Sequence, residues 1–429
     1  MFFKLHILVN LLELKLVKKR YRSNIKGLQA YRWKKFQSTL DSSPFYADLA
    51  RQHAPLEKYP IMNKQLFMEH FDLINTQGIK KDQAFETAIQ AELSRDFSPM
   101  IENITVGLSS GTSGNRGIFL VSQKERAQWV AYVLDRVIPF SLKKRSVAFF
   151  LRANSNLYDS VKSKVLKFEF FDLLDEQSVH IPRLNSLQPS VLVAQPSMLL
   201  NLAKEMEKGL LTIHPEKIIS VAEVLYPEDK IYLERIFGQH IHQVYQCTEG
   251  FLASTCKEGV LHFHEDFLII EKKYLDESKT RFHPIITDLK RFSQPIVRYE
   301  LNDIIHELND CPCGQKTMAI AKIEGRSDDV LLFDNSHGIP VKIYPDFFRR
   351  AIILSDESIH DYVLVQRSST LIELYINGDL ALFEKAKNGV KNLLWQHAIV
   401  GVEIIKLDIP PHKKGDKLRR IRYESIETN

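Results

Sequence analysis

The sequence ITVGLSSGTSGNRGIFLV at residues 104–121 decides how the chain is organised. Its two apolar runs, Ile104–Leu108 and Ile118–Val121, are rich in β-branched and aromatic residues and therefore predict two strands. The loop between them, Ser109–Gly117, consists almost entirely of Gly, Ser and Thr. In such a loop, backbone N–H groups and hydroxyls can approach phosphate oxygens closely. The stretch therefore predicts a pair of strands joined by a candidate phosphate-binding loop.

The residues after the loop distinguish it from the Walker motif. A Walker loop ends in Gly-Lys-Ser/Thr and leads directly into a helix, whereas Gly114 is followed by Asn115 and then by a strand. The helix comes later, because Ser122 and Glu125 have the spacing of a capping box in front of Lys124–Val137. Taken alone, the loop is equally compatible with a flexible surface turn.

Downstream of this unit, short apolar runs alternate with longer segments of helical periodicity. The order strand, helix, strand, helix, strand is predicted for Val191–Ala194, Pro196–Lys208, Lys217–Ala222, Pro227–Phe237 and Ile241–Tyr245. This alternation predicts a mostly parallel sheet covered by helices. We therefore expect an α/β fold.

Other parts of the chain have different patterns. The first 100 residues are mostly helical, and after Gly325 the pattern predicts a small α+β domain with helices at 344–353 and 380–397. Between them, three apolar runs predict an antiparallel β segment: Phe267–Glu271, Pro284–Thr287 and Ile296–Tyr299. We expect an N-terminal domain over residues 1–325 and a C-terminal domain over residues 326–429.

The composition is that of a globular protein. With 429 residues, 44% of them apolar, the chain can bury a core and is longer than one typical domain. Intrinsic disorder is excluded by this content of apolar residues. The net charge of +5 is spread over the whole chain and gives no reason to expect a nucleic-acid partner.

The first twenty residues, MFFKLHILVNLLELKLVKKR, predict an amphipathic helix. Polar residues such as Lys4 and Glu13 interrupt the apolar run and no small-residue cleavage site follows, so the segment predicts neither a secretion signal nor a membrane span. We expect a cytoplasmic protein in which this helix packs on the main domain. A weak contact with a membrane surface is the alternative, favoured by the basic cluster Lys18, Lys19, Arg20 and Arg22.

Four cysteines are too few for a disulfide framework in a chain of this length. Only one residue separates Cys311 from Cys313, a spacing that suits a metal better than two disulfides. Together with Cys256 and His262 they supply thiolate and imidazole ligands, which select zinc, and four such ligands form a structural site. Buried free thiols are the alternative. We interpret Cys247 as a pocket-wall residue.

Four further segments occur in a recognisable order along the chain. They are Tyr245-Gln246-Cys247-Thr248-Glu249, Arg298-Tyr299-Glu300-Leu301-Asn302-Asp303, Gly325-Arg326-Ser327-Asp328-Asp329 and Pro411–Arg420. With the loop at 109–117, they resemble in sequence and order the motifs of adenylate-forming enzymes. The Cys-Pro-Cys-Gly run at 311–314 makes the chain most similar to the phenylacetate-CoA ligase branch. The chain departs from that branch at Gln246, which replaces Gly, and at Asp416, which replaces Lys.

The resemblance implies a large N-terminal domain and a small mobile C-terminal α+β domain hinged near Arg326. It also implies that a set of residues binds ATP: Ser109, Ser110, Gly111, Thr112, Ser113, Gly114, Glu223, Tyr245, Asp303 and Arg326. Glu249 is implied as a Mg²⁺ ligand, and Thr248, Glu249 and Lys417 as the catalytic residues. Each has a plain structural alternative, and for Lys417 this is a solvated basic tail.

The implied activity is adenylation of a carboxylic acid with ATP and Mg²⁺, release of pyrophosphate, and transfer of the acyl group to coenzyme A. Transfer to an amine, a hydroxyl or a carrier protein is one alternative, and an inactive nucleotide-binding homologue is another. An aromatic or fatty acid is favoured by a group of aromatic residues that could equally be core: Phe149, Phe150, Tyr158, Phe168, Phe170 and Phe171. Structural Zn²⁺ and a homodimer are further expectations.

Overall fold

The computed structural model describes residues 2–21, 24–94, 100–109, 116–138, 144–151, 166–173, 175–411 and 418–424. The α-helices within these ranges are α1 (Phe2–Arg20), α2 (Ile25–Gln37), α3 (Ala47–Arg51), α4 (Lys64–Glu69), α5 (Phe71–Ile74), α6 (Lys81–Ser94), α7 (Gln123–Arg136), α8 (Gln177–Leu187), α9 (Pro196–Glu207), α10 (Pro227–Phe237), α11 (Pro345–Ile353) and α12 (Leu380–Gln396). Short 3₁₀ helices span Leu40–Ser42, Leu56–Lys58 and Ser327–Asp329.

The strands of the first 300 residues are β1 (Met100–Ile101), β2 (Ile104–Leu108), β3 (Ile118–Ser122), β4 (Arg145–Leu151), β5 (Leu166–Asp172), β6 (Val191–Ala194), β7 (Lys217–Val221), β8 (Ile241–Cys247), β9 (Gly250–Thr255), β10 (Leu261–Phe263), β11 (Leu268–Tyr274), β12 (Arg281–Asp288) and β13 (Ile296–Glu300). The later strands are β14 (Asp303–Leu308), β15 (Ala319–Arg326), β16 (Leu331–Asp334), β17 (Pro340–Ile343), β18 (Tyr362–Ser368), β19 (Leu371–Ile376), β20 (Glu403–Leu407) and β21 (Ile421–Tyr423).

The chain forms two compact units. The first unit consists of Met1–Leu301 and Glu307–Ala321, and the second consists of Asn302–His306 and Lys322–Asn429. The chain therefore crosses between the units three times. The domain boundary that the sequence predicts, at residue 325, stays a prediction.

The first unit contains a large mixed sheet. Its strands β5, β4, β6, β7 and β8 are parallel neighbours in that order, and β9 and β10 continue the sheet with antiparallel pairing. Strands β11, β12 and β13 also pair antiparallel. The predicted α/β fold with an antiparallel segment is therefore confirmed.

The helices beside the parallel strands have proline in the first turn, and one of them ends at a glycine. Pro196 and Pro227 occupy the first turns of α9 and α10, where their missing N–H groups cost no helical hydrogen bond. Gly238 ends α10 in the left-handed region, with φ +66. All four residues of β6 are buried, as expected for a parallel strand covered on both faces.

A small antiparallel sheet, β1-β2-β3, lies next to helix α6. Its apolar side chains form a core with those of the helix, including Val106, Leu120, Ala84 and Ala88. A Cβ at Gly107 would lie 2.2 Å from Cζ of Phe119 on the neighbouring strand, so a larger residue here would force the Phe119 ring to move. This sheet carries both ends of the loop that the sequence singles out.

Arg298, in the predicted Arg-Tyr motif, joins the N-terminal helical region to the antiparallel strands. Its guanidinium donates to both carboxylate oxygens of Glu271, at 2.9 and 2.7 Å, and to the carbonyl oxygens of Glu57 and Tyr59, both at 2.9 Å. The backbone of Arg298 has a φ of +47, a costly conformation for a residue with a side chain. These bonds hold that conformation and give Arg298 a structural role.

The second unit is an α+β domain. Strands β20, β19, β18 and β21 form one sheet, β16 and β17 form a hairpin, and α11 packs on α12. The two helices approach so closely at Gly389 that a Cβ there would lie 2.2 Å from the carbonyl oxygen of Ala351. Glycine is therefore needed at this position for packing.

Most predicted elements are present within the described ranges. Strand β6 and helix α10 have the predicted bounds, and the capping box of Ser122 and Glu125 is formed. Strand β7 ends one residue early, because Ala222 has a φ of +70. Strands β4 and β5 were not predicted. No helix in the described part of the chain is both long enough and apolar enough to cross a membrane.

Candidate functional site

The base of the predicted phosphate loop is closed by hydrogen bonds. Ser109 N donates to the carbonyl oxygen of Gly117, and Gly117 N donates back to Oγ of Ser109, both at 2.7 Å. Arg116 donates to the Ser109 carbonyl at 2.9 Å and forms a two-bond ion pair with Glu92. The predicted ligands Ser110, Gly111, Thr112, Ser113 and Gly114 lie outside the described residues.

The predicted Tyr-Gln-Cys-Thr-Glu motif forms the turn of a β-hairpin. Cys247 pairs with Gly250 across strands β8 and β9, so Thr248 and Glu249 are the two residues of the turn. Their side chains are partly exposed, whereas Tyr245 is buried on β8 and its ring centroid lies 6.3 Å from that of Phe263. The turn therefore presents a hydroxyl and a carboxylate at the end of the sheet.

Arg291 fixes this turn from the side. Its Nη1 donates to the carbonyl oxygens of Thr248 and Glu249, at 3.2 and 3.3 Å. Its Nη2 donates to the side chain of Gln294 at 3.1 Å. Charge-assisted bonds of this kind are stronger than bonds between neutral groups. Arg291 therefore holds the backbone of both motif residues and leaves their side chains available.

Gln294 lies in the same connection between β12 and β13 as Arg291, and it links this connection to the small sheet. Its Nε2 donates to the carbonyl oxygen of Ile118, and its Oε1 accepts from Leu120 N, both at 3.0 Å. Ile118 follows the phosphate loop directly. Through Gln294 and Arg291, the strand after the predicted loop and the Thr-Glu turn share one network of hydrogen bonds. The sequence analysis missed both residues, because neither lies in a motif or in a periodic pattern.

Glu125 also binds the segment between β12 and β13. Its carboxylate accepts from N and Oγ of Ser122, at 2.8 and 2.5 Å, and from N of Phe292 and of Ser293, at 2.6 and 2.9 Å. The hydroxyl of Ser293 donates to it as well. The predicted capping residue thus also fastens the start of α7 to the chain beside Arg291.

Asp288 is a fully buried carboxyl at the end of β12, behind the hairpin turn. Burial raises the pKa of Asp288 to about 7, while the positive charge of Arg291 and the N–H of Lys290 oppose the shift. A Cβ on Gly250 would lie 3.1 Å from Oδ2 of Asp288. Asp288 therefore packs against the backbone that follows Glu249.

Glu223 follows the end of parallel strand β7. Its carboxylate accepts from N and Oγ of Ser197, at 3.2 and 3.1 Å, in the first turn of α9. The preceding residue, Ala222, has a φ of +70, a strained conformation for any residue other than glycine. Strain of this kind, at the carboxyl end of a parallel strand, is typical of binding sites in α/β folds.

The four predicted zinc ligands come together in the first unit. Their ligand atoms, from Cys256, His262, Cys311 and Cys313, all lie within 4.8 Å of one another. The Sγ atoms of Cys256 and Cys311 are 3.8 Å apart, and Nε2 of His262 is 3.4 Å from Sγ of Cys313. Tetrahedral zinc requires S···S and S···N separations of about 3.8 and about 3.5 Å. These two separations therefore match those of a tetrahedral zinc site, and the other ligand atoms of the cluster lie within 4.8 Å of one another.

The imidazole of His262 is oriented for such a role. Its Nδ1 lies 3.0 Å from the carbonyl oxygen of Thr317, which leaves Nε2 facing the thiols. Metal-binding histidines are commonly fixed by a hydrogen bond of this kind. Strand β10, which carries His262, also pairs with β15 beyond Thr317.

The remaining predicted site residues belong to the second unit. Asp303 begins strand β14, and Arg326 ends strand β15 with its side chain exposed. Asp329 forms an ion pair with Arg419 of the C-terminal segment. Lys417 lies outside the described residues.

The aromatic residues between 145 and 175 are divided between core and partly exposed positions. Phe150 and Phe171 are completely buried and stacked, with ring centroids 4.8 Å apart. These two residues belong to the core. Phe149 and Phe168 are buried against each other, Phe170 is partly exposed, and Tyr158 lies outside the described residues.

Comparison with known proteins identifies the architecture. No family model matches the chain. A phenylacetate-coenzyme A ligase of Pseudomonas putida is 27% identical over 202 residues, which are 44% of this chain and 45% of the relative. The match thus spans less than half of the relative's length.

Among solved structures, 2-hydroxyisobutyryl-CoA ligase in the postadenylation state, bound to R3-HIB-AMP, superposes with a TM-score of 0.66. It covers 94% of this chain and 89% of its own, with 15% identity. The chain has the fold of the adenylate-forming enzymes. An acyl acid amido synthetase in complex with 2,4-DB gives a TM-score of 0.63 at 13% identity and covers 96% of this chain and 94% of its own. The predicted resemblance to adenylate-forming enzymes of the phenylacetate-CoA ligase type is confirmed.

Proposed function

We propose that this protein is a ligase that activates a carboxylic acid with ATP and transfers the acyl group to coenzyme A. The observation that carries the proposal is the hairpin turn of Thr248 and Glu249, whose backbone Arg291 holds while both side chains stay accessible. A fixed carboxylate and hydroxyl beside the strand that follows a Gly/Ser/Thr loop suit the binding of a metal–nucleotide complex.

In the first half-reaction, an oxygen of the substrate carboxylate attacks the α-phosphorus of ATP, and pyrophosphate leaves with the electrons of the broken P–O bond. Glu249 offers the hard oxygen ligands that Mg²⁺ prefers, and bound Mg²⁺ would neutralise phosphate charge. We assign Thr248 and Thr112 to hydrogen bonds with the phosphates, and Ser109, Ser110, Gly111, Ser113 and Gly114 to the loop around them. Lys417 is assigned to the carboxylate and the α-phosphate.

We assign the nucleoside of ATP to four residues. Tyr245 and Glu223 are proposed to contact the adenine side, which agrees with the strained backbone before Glu223 at a strand end. Asp303 can accept from both ribose hydroxyls, and Arg326 can donate to the same sugar. In the second half-reaction, the thiolate of coenzyme A attacks the acyl carbonyl and AMP leaves.

The acid is proposed to be aromatic or fatty. This proposal rests on the apolar surroundings of strands β4 and β5, although Phe150 and Phe171 themselves are core residues. Transfer to an amine is a second candidate, because the acyl acid amido synthetase covers nearly the whole chain. Cytoplasmic location and a homodimer stay predictions.

We also propose that Cys256, His262, Cys311 and Cys313 hold a structural zinc ion. The four ligands leave no open coordination position, so a catalytic role for this metal is not expected. The ion would connect the loop at 311–313 to strands β9 and β10.

Pyrophosphate release tests the proposed activity. Aromatic, fatty and hydroxy acids are incubated with ATP and Mg²⁺, with coenzyme A or with hydroxylamine as the acceptor. Glu249→Gln should lower acid-dependent release by at least about a hundredfold, because several kcal/mol of charge neutralisation are lost. Glu277→Gln changes an exposed turn residue and serves as the control. Normal turnover in a folded Glu249→Gln variant would exclude the assigned role.

Lys417 can be tested separately. Lys417→Ala should slow formation of the acyl-adenylate by about a hundredfold or more, while prepared acyl-adenylate and coenzyme A are still converted. Lys413→Ala and Lys414→Ala should each change the rate by less than about fivefold. If Lys414→Ala abolishes adenylation and Lys417→Ala does not, the catalytic lysine has been assigned to the wrong position.

A further inference from the structure

Helix α1 packs on α7 through one face. Leu14 is buried, the ring of Phe3 lies 5.5 Å below the guanidinium of Arg126, and Lys18 pairs with Asp135 at 2.5 Å. These contacts fix the rotation of the helix about its axis. The opposite face of α1 is therefore defined and points away from α7.

That opposite face, here called the outer face, carries five large apolar side chains. They are Leu5, Leu8, Val9, Leu12 and Leu16, each between 52 and 69% exposed. Their spacing of three, one, three and four residues keeps them on one side of a helix. From Leu5 to Leu16 the stripe extends over about 17 Å at 1.5 Å per residue. Isolated exposed leucines are common, but a continuous stripe of this length indicates a binding surface.

Positive charges border the outer face. Lys4, Lys15 and Lys19 are exposed along one edge, and Arg20 lies at the C-terminal end. The acidic residue of α1, Glu13, is paired with Lys290 at 3.2 Å and lies 3.6 Å from Arg32. The surface is therefore apolar in its centre and cationic at its edge.

This distribution of charge favours an anionic bilayer over a second copy of the chain. If two copies met through their outer faces in the antiparallel orientation, a two-fold axis would place the lysine edges of both copies on the same side of the contact. Lys4 would then meet the region of Lys15 and Lys19 of the other copy. In the parallel orientation the lysine edges would lie on opposite sides of the contact, where Glu13, the acidic residue of α1, already pairs with Lys290. A bilayer accepts the apolar stripe between its headgroups while anionic lipids attract the lysines.

We propose that the outer face of α1 is a docking surface for an anionic lipid bilayer. In the bound state the helix lies in the plane of the interface, with Leu8 and Leu12 inserted and Lys15 and Lys19 at the headgroups. The proposal does not depend on the proposed activity, since it rests on α1 and its packing alone.

Co-sedimentation of the full chain with vesicles tests this surface. The vesicles contain either phosphatidylcholine alone or phosphatidylcholine with about 30% phosphatidylglycerol. The wild type should bind the anionic vesicles at least about tenfold more strongly, and about 0.5 M salt should weaken that binding. The variant Leu8→Ser/Leu12→Ser/Leu16→Ser should lose at least about tenfold in partitioning.

Two further variants separate the contribution of the lysines from a general effect of replacing exposed leucines. Lys15→Gln/Lys19→Gln should lose the preference for anionic vesicles, and Leu93→Ser/Leu210→Ser, which changes leucines that are 74 and 57% exposed elsewhere, should bind like the wild type. Thermal unfolding of each variant shows that the fold is kept.

Three results would overturn the proposal. The first is a wild type that does not bind anionic vesicles, and the second is a triple Leu variant that binds them as strongly as the wild type. Sedimentation velocity supplies the third: a wild-type dimer that the triple Leu variant converts to a monomer would identify the outer face as a contact between copies.

Discussion

Glu125→Gln should destabilise the first unit strongly. The wild-type carboxylate accepts five hydrogen bonds, two from Ser122, one from Phe292 and two from Ser293. The glutamine amide has nearly the same shape but only one oxygen. In either orientation its NH₂ group faces at least one backbone N–H, which cannot turn away.

The expected loss follows from these bonds. One buried N–H without an acceptor costs about 1–3 kcal/mol, and each remaining bond weakens by about 0.5 kcal/mol when its acceptor loses its charge. With the NH₂ group at the position of Oε2, which accepts from a single backbone N–H, two bonds remain, and the sum is a loss of about 2–4 kcal/mol in the free energy of unfolding. This exceeds the cost of losing an ordinary helix cap, which is about 1 kcal/mol.

Urea unfolding followed by tryptophan fluorescence measures this loss. Trp395→Phe, introduced as a background, leaves Trp33 and Trp129, both in the first unit, and Trp129 lies one turn after Glu125 in α7. The control is Glu86→Gln, which changes an exposed glutamate of α6. If Glu125→Gln costs less than about 1 kcal/mol, the carboxylate does not hold α7 to the loop at 292–293.

The other predictions concern the metal cluster, a close helix contact and a buried acid. Protein purified without chelator should contain about one zinc per chain by metal analysis. The variant Cys311→Ser/Cys313→Ser should lose the zinc together with thermal stability. Equal thermal stability with and without the metal would contradict a structural role. Gly389→Ala should lower the free energy of unfolding by about 1–3 kcal/mol, because the added Cβ would clash with the carbonyl oxygen of Ala351, although helix propensity alone favours Ala. Asn388→Ala, on the exposed side of the same helix, is the control and should be nearly neutral in denaturant unfolding. Asp288 has a raised folded-state pKa of about 7, so the stability of the wild type should fall as pH rises from about 4 to about 7. Asp288→Asn should remove most of that fall in stability. A variant with the same pH profile as the wild type would show that the acid is not buried as described.

The sequence predicted those features that depend on neighbouring residues. Apolar runs of strand length gave β6, and the spacing of Ser122 and Glu125 gave the capping box. The Cys and His cluster was also predictable, because its three cysteines and one histidine have few other reasons to occur in this pattern. Its assembly in the structure confirms the grouping, while the metal itself stays a proposal.

The contacts that hold the candidate site could not be predicted in this way. Gln294 binds Ile118 across 176 positions, and Glu125 binds Ser293 across 168, so no local pattern reveals either pair. Strand β4 was missed because its apolar run, Val147–Leu151, was interpreted as pocket or core without a partner strand. Its neighbours β5 and β6 come 15 and 40 residues later, and such pairings depend on tertiary structure.

The five residues Asn302–His306 belong to the second unit although fifteen residues of the first unit follow them. Ser327 N donates to the Asn302 carbonyl at 2.7 Å, and His306 contacts the buried carboxylate of Glu324 at 2.6 Å. A recombinant fragment that begins at Lys322 would therefore lack a piece of its own fold and expose Glu324. Conversely, a single proteolytic nick between Cys311 and Thr317 would leave Asn302–His306 bound within the second unit. Separation of the two units thus requires cleavage at each of the three points where the chain crosses between them.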